Sequence, residues 1–369
     1  MNADDVLLNF NPSMQVVLTV VLGLIMFGIA LDTQVRDFAV VAKKPKPFIM
    51  AIAAQLLVLP AVTFGLTLIL PVSASMALGM ILLACCPPGN VSQLLTHRAG
   101  GNTALSVSMT AVANVLYIFA LPLSVSFWGG LHPQARDLVQ AVNLDPMSML
   151  GDIVLIIGLP FVLGMAVRHK FPQVARRIQP FAKVFSLLAL VGFIVGALAG
   201  NWTYFIAFVG VVMVVVIVHD AVALGIGYST AVIGGLGTRE RKAITFEVGI
   251  RNGGLGLVLV FSFFGGLGGM AIVAGWWGVL DNLIGLGVAS LWSLHTKRRT
   301  GTVTGDASRH GFGPLRRRGL RAAAVAQPIG YVEIVADAAA ALDGAAALDG
   351  MDLADIAAAH ADLDMVEVA

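Results

Sequence analysis

Long apolar runs, each about as long as a bilayer is thick, alternate with short polar loops along most of this chain. Windows of about 20 apolar residues fall roughly at 14–31, 48–70, 76–95, 102–127, 146–167, 180–200, 204–236, 243–264 and 271–294. They predict an all-α membrane protein with about nine transmembrane helices. Two runs are interrupted where a spanning helix should be continuous. Cys85–Gln93 reads CCPPGNVSQ, and its prolines remove backbone donors and clash with the preceding turn. Glu247–Gly254 reads EVGIRNGG, with glycines, a carboxylate and a guanidinium at mid-membrane depth. Non-helical backbone survives at that depth only where protein buries it or it lines a wet cavity. A pair of interrupted segments points to a transporter's substrate site, and ionisable groups inside spans point to function. Two kinked helices that merely pack closely are the plainer alternative.

Charge then orients the spans. Arg36, Lys43, Lys44 and Lys46, then Arg98, then Arg168, Lys170, Arg176 and Arg177, then Arg239, Arg241 and Lys242 all fall on one side. The alternate loops carry Arg136 alone. By the positive-inside rule the N-terminus is expected outside and the C-terminus in the cytoplasm. Arg251 belongs to neither side. The opening MNADDVLLNF holds Asp4 and Asp5 and no basic residue, so the first run is expected to remain as a span.

Composition agrees: 369 residues, 58% hydrophobic and 12% charged, against about 25% charged in soluble domains. A net charge of +2 selects no partner, and neither a nucleic-acid nor a protein partner is predicted beyond the lipid bilayer. Cys85 and Cys86 are adjacent, which suits neither a disulfide framework nor a metal site. After residue 295 a basic segment precedes a low-complexity acidic tail containing repeated AAALDG, expected to be mostly disordered. The expected organisation is an external N-terminus at 1–13, a transporter domain at 14–295 and a cytoplasmic tail at 296–369. Two further polar pairs lie inside spans, His219-Asp220 and Asp281-Asn282. They fit either pore-facing groups or a mutually satisfied interhelical pair.

At CCPPGNVSQLLTHRAGGNTALSVSMT and ITFEVGIRNGGLGLVL the chain resembles the bile acid:sodium symporter family, whose bacterial members take up organic anions with sodium. The likeness begins at GLIMFGIALDTQVRDF and runs to about Leu294. Bacterial members have ten spans in two inverted five-helix halves; without the first, nine remain. The resemblance implies an inverted repeat with two crossing discontinuous helices. It also implies a core from about 48–127 and 204–294 and a panel from about 14–31 and 146–200, with substrate between them.

The resemblance further implies site residues. A first sodium site would use Ser92, Gln93, Ser106, Thr110 and Glu247, with Gln93 standing where the family has asparagine. A second would use Gln55, Glu247 and the carbonyls of Val248 and Ile250. Its last ligand, normally glutamine, is here Arg251, which carries donors only and cannot ligate a cation. One sodium ion is therefore expected rather than two, with Arg251 paired to Glu247 four residues away as a built-in cation; the alternatives are a counter-ion to the substrate, or a turn toward the cytoplasmic vestibule that leaves the site intact. Asn90, Asn252 and Asp281 are the substrate-binding candidates; relatives commonly have histidine at the Asp281 position. From spacing alone, Ser92, Ser106 and Thr110 fit helix back-bonding as well as ligation.

The expected function is sodium-coupled symport of small organic anions, bile-acid-like or other carboxylates, across a bacterial-type cytoplasmic membrane. An uncoupled or proton-coupled carrier, a metalloid carrier of related fold, and a non-transporting sensor are the alternatives. No nucleophile elbow, Walker loop or metal-ligand cluster marks an enzyme.

Overall fold

The computed structural model describes residues 12–33, 45–141, 146–200 and 202–307. All but Ala307 belong to one compact unit, Met1–Asp306. The cations Arg36, Lys43 and Lys44, the N-terminal residues 1–11 and the acidic tail lie outside the described residues. Within them there is no strand. The helices are α1 (Pro12–Asp32), α2 (Pro45–Ile69), α3 (Ala74–Ala84), α4 (Val91–Arg98), α5 (Thr103–Leu131) and α6 (Arg136–Ala141). Then α7 runs through Pro146–Ile153, Val154–Gly158 and Leu159–Lys170, followed by α8 (Pro172–Gly200) and α9 (Trp202–Ile233). The last three are α10 (Thr238–Gly249), α11 (Gly253–Phe263) and α12 (Gly268–Ala307).

The protein is an all-α membrane protein. Five segments are long and apolar enough to cross a bilayer alone: Pro45–Ile69, Thr103–Leu131, Leu150–Lys170, Val209–Ile233 and Gly268–His295. Shorter apolar helices occupy Thr19–Leu31, Ala74–Ala84 and Gly253–Phe263. The large exposed apolar side chains sit on the outer helices, for instance Leu57 on α2, Phe127 on α5, Leu155 on α7 and Val214 on α9. In lipid such exposure costs nothing. α3 and α11 are the reverse, buried from Ser75 to Ala84 and from Gly253 to Phe261.

Proline shapes two outer helices. Pro60 and Pro160 each lack the N–H that would close an ordinary turn. The turn just before each widens to i→i+5 bonding, Leu59 N–H to Ala54 carbonyl and Leu159 N–H to Val154 carbonyl. Such π-turns are common at functional sites, and the first one buries Gln55 completely. α1 packs against α7 and α8, while α10 packs against α4, α5 and α9.

Candidate functional site

Both interrupted runs are helix pairs joined by short non-helical peptides. α3 ends at Cys85 because Pro87 and Pro88 have no N–H to extend it, and α4 restarts after Asn90. α10 ends at extended Ile250 (φ −85°, ψ 113°), and α11 starts after Asn252. The two breaks meet as a short antiparallel bridge between Pro88 and Arg251. Gly89 N–H donates to the Ile250 carbonyl at 3.3 Å, and Asn252 N–H donates to the Pro87 carbonyl at 3.0 Å. A Cβ on Gly89 would lie 3.3 Å from the Arg251 carbonyl oxygen, so the crossing needs glycine there for close approach. Each break thus satisfies backbone groups of the other in the protein interior, where no water could.

Glu247, two residues before the end of α10, is fully buried beside this bridge. Ser92 Oγ donates to its Oε1 at 2.7 Å and Ser106 Oγ to the same oxygen at 2.5 Å. Thr110 Oγ1 lies 3.0 and 2.8 Å from the two carboxylate oxygens and 3.1 Å from the Ser106 carbonyl. Three hydroxyls from two helices therefore converge on one carboxylate. Ser106 and Thr110 do so from one face of α5, four residues apart. Hydroxyl and carboxylate oxygens are the donor set that a hard monovalent cation takes. Gln93 is half-buried and is not among the groups bonded to Glu247.

The residues expected around a second cation are only partly assembled. Gln55 Nε2 donates to the Glu247 carbonyl at 3.1 Å, and its Oε1 is buried without a partner among the described residues. The Ile250 carbonyl accepts Gly89 N–H, and Val248 is buried. Arg251 turns elsewhere. Its Nη1 donates to the Cys86 carbonyl at 3.1 Å and lies 3.4 Å from Tyr117 Oη. Among the described residues no ion pair joins it to Glu247, so the expected pairing does not form. Ile250 ends α10 in extended geometry, which destroys the i,i+4 register on which that pairing relied. Nε and Nη2 of Arg251 are buried and have no partner among the described residues.

The substrate candidates divide. Asn90 is exposed at the start of α4, and its side chain makes no cap bond. Asn252 Oδ1 accepts Leu255 N–H at 3.0 Å and so caps α11. Asp281, fully buried on α12, accepts Arg251 N–H at 2.9 Å and so braces the second break. A pocket among α1, α5, α7 and α11 is lined by Met26, Pro87, Asn114, Tyr117, Phe161 and Leu255. Tyr117 and Asn114 were not foreseen. Their signal was available, since they follow Thr110 by seven and four residues on the same helix face.

Similarity to known proteins bears on this geometry. A model of the sodium bile acid symporter family matches residues 19–208. An uncharacterised sodium-dependent transporter of Bacillus subtilis (strain 168) is 31% identical over 283 residues, covering 76% of this chain and 84% of that protein. The chain belongs to the sodium bile acid symporter family. Two more distant relatives are the ileal sodium/bile acid cotransporter of Homo sapiens and a protein named as a chloroplastic sodium/metabolite cotransporter of Oryza sativa subsp. japonica. The human protein is 26% identical over 250 residues, 66% of this chain and 70% of its own length. The rice protein is 27% identical over 248 residues, 67% of this chain and 57% of its own length. The chain is thus a multi-pass membrane transporter and not an enzyme. Family membership makes it sodium-dependent.

Proposed function

We propose that this sodium bile acid symporter family member carries small organic anions with one sodium ion into the cell across the cytoplasmic membrane. Glu247 carries the argument. A fully buried carboxylate ringed by three hydroxyls is an anionic oxygen cage, and the cation it suits is small, hard and exchangeable. Sodium here is cargo. Ser92, Ser106, Thr110 and Glu247 would hold it, while Arg251 stands within electrostatic reach of Glu247 as a permanent cation. Arg251 offers no oxygen, so one sodium is expected where relatives' pattern has room for two.

Substrate would enter the cleft lined by Asn114 and Tyr117 only as panel and core part, since the cleft's free volume here is about 10 Å³, with Asn90 at the α4 N-terminus as a further donor. Half-helix N-termini present N–H groups and a positive dipole end to an anion. The packing of α1 with α7 and α8 supports a panel moving against a core made of 48–127 and 204–294. Nine spans, with the N-terminus outside, complete the reading.

Thermal unfolding of the purified protein in sodium and potassium chloride of equal ionic strength tests it. Sodium is expected to raise the midpoint of wild type and to leave Glu247→Gln unmoved. No sodium-specific stabilisation of wild type, or its retention in the variant, defeats the assignment. A subsequent screen of organic anions in sodium would then find the substrate as a further stabilisation.

A further inference from the structure

Four charged residues lie buried around the crossing. Asp220, Glu247 and Asp281 are each 0% exposed and Arg251 is 3% exposed. The other buried cation, Lys242, donates to the Ala99 carbonyl at 2.5 Å at the far end of α10. Three carboxyls against one guanidinium leave two negative charges to neutralise inside a low-dielectric interior, which is costly unless cations or protons enter. A sodium ion at Glu247, as proposed above, accounts for one.

The second has its own location. Asp220 on α9 and Asp281 on α12 are fully buried where these helices pack, with the His219 ring 4.4 Å from that of Trp277, one turn before Asp281. Asp281 Oδ2 accepts Arg251 N–H, while Asp281 Oδ1 and both Asp220 oxygens are buried with no donor among the described residues. Two carboxylates are acceptors only and cannot satisfy each other. One proton between them changes that, turning a repulsive contact into an O–H···O bond that fills Asp281 Oδ1.

The surrounding groups do not supply the missing charge. His219, beside Asp220, is fully buried, with Nε2 bonded to Thr63 Oγ1 of α2 at 2.5 Å and its ring edge-on to Trp277 at 4.4 Å. Its Nδ1 has no partner among the described residues, so an imidazolium there would leave a charged donor unpaired. The Arg251 guanidinium is directed at Cys86 and Tyr117. Cys85, Cys86 and Tyr117 are the remaining titratable groups within reach of it, and none brings positive charge.

We infer that Asp220 and Asp281 form a proton-binding site holding one proton shared between the two carboxyls, beside the sodium at Glu247. Loading forms one O–H bond on one carboxyl of the pair at the expense of a hydronium ion, which leaves as water; release reverses this. The inference uses the sodium reading for the charge count, but the paired carboxyls stand apart from it. Because Asp281 also holds Arg251 N–H, the proton sits one bond away from the crossing itself.

Infrared spectra of the full-length protein as a function of pH test it. At neutral pH wild type is expected to show a protonated-carboxyl C=O band that shifts in heavy water. Asp220→Asn and Asp281→Asn should each lose it, and Glu247→Gln should keep it. A band that survives in both aspartate variants, or no such band in wild type, overturns the proposal. Should one variant fail to fold, the heavy-water shift in wild type and the other variant decide. Loss of the band in Asp220→Asn supports the proton site even if sodium fails to stabilise wild type, an outcome that would sink the sodium reading alone.

Discussion

Glu247 has a hydroxyl on each side because its carboxylate lies where α4, α5 and α10 converge, and no single helix supplies that shell. A hydrogen bond to a charged group is worth about 1.5–3 kcal/mol. Removing Thr110 Oγ1, which reaches both carboxylate oxygens, should therefore weaken sodium about ten- to a hundredfold. Thr110→Val measured by sodium titration of thermal stability checks this; an unchanged sodium midpoint would place the ion elsewhere. Arg251→Gln makes the complementary change by replacing donors with an amide oxygen, in a core where Gln55 Oε1 is also buried without a partner among the described residues. The variant is expected to bind sodium with a steeper dependence than wild type, in which the Hill coefficient should be near one. Clear two-ion cooperativity in wild type would refute Arg251 as a standing substitute.

At the scale of elements, the crossing depends on backbones approaching without side chains. A Cβ on Gly253, the first residue of α11, would lie 2.8 Å from the Gly278 Cα on α12. Backbone cannot swing away, so Gly253→Ala should lower stability by about 1–3 kcal/mol, the usual cost of overpacking. Gly287→Ala on the same α12 meets nothing within 4 Å and should leave the unfolding midpoint unchanged or slightly raised. Equal effects from the two would remove the packing argument. At the other end of the core, His132 follows α5, and its Nδ1 accepts Ala135 N–H at 3.1 Å. Burial holds its imidazole below the ordinary value of 6.5, against a smaller upward pull from the Thr67 backbone. Below that ordinary value the unfolded chain takes up a proton that the folded chain refuses, so this contribution to stability is lost as pH falls. His132→Asn keeps an acceptor near Nδ1 but does not titrate. It should show a shallower loss of stability than wild type on acidification; parallel curves would contradict the assignment.

For the whole molecule, buried breaks inside a ring of helices with exposed apolar faces make a membrane transporter whose polar centre is sealed from lipid. The proposed topology places His97-Arg98 in the cytoplasm, from the one-sided distribution of Lys and Arg. Reporter fusions after Gly100 and after Pro133 should then give opposite signals, cytoplasmic and external. Matching signals would mean that the spans between them had been miscounted.

Membrane residence, helical class and both breaks were legible in the chain itself, because each follows from local chemistry, and the two break motifs carried the family resemblance. Apolar runs of bilayer length can satisfy their backbone only as helices, and proline or glycine at mid-run interrupts any helix. Ser106 and Thr110 could be placed on one face by spacing, and Glu247 marked itself by the cost of a carboxylate at that depth. Tertiary structure decided what those residues touch. The expected Glu247–Arg251 pair assumed an unbroken helix, whereas Ile250 leaves helical geometry and sends the guanidinium to Cys86 and Tyr117. Asn252 and Asp281, read as substrate ligands, use Oδ1 to cap α11 and Oδ2 to brace Arg251 N–H. His219-Asp220 and Asp281-Asn282 fitted two accounts from sequence, and only the packing of α9 near α12, with His219 against Trp277, buried both acids in one place. Helix periodicity fixes which face a side chain occupies, but the partner comes from residues as far as 192 positions away, as with Gln55 and Glu247. That distance along the chain is invisible to local pattern, and only the crossing of the two breaks closes it.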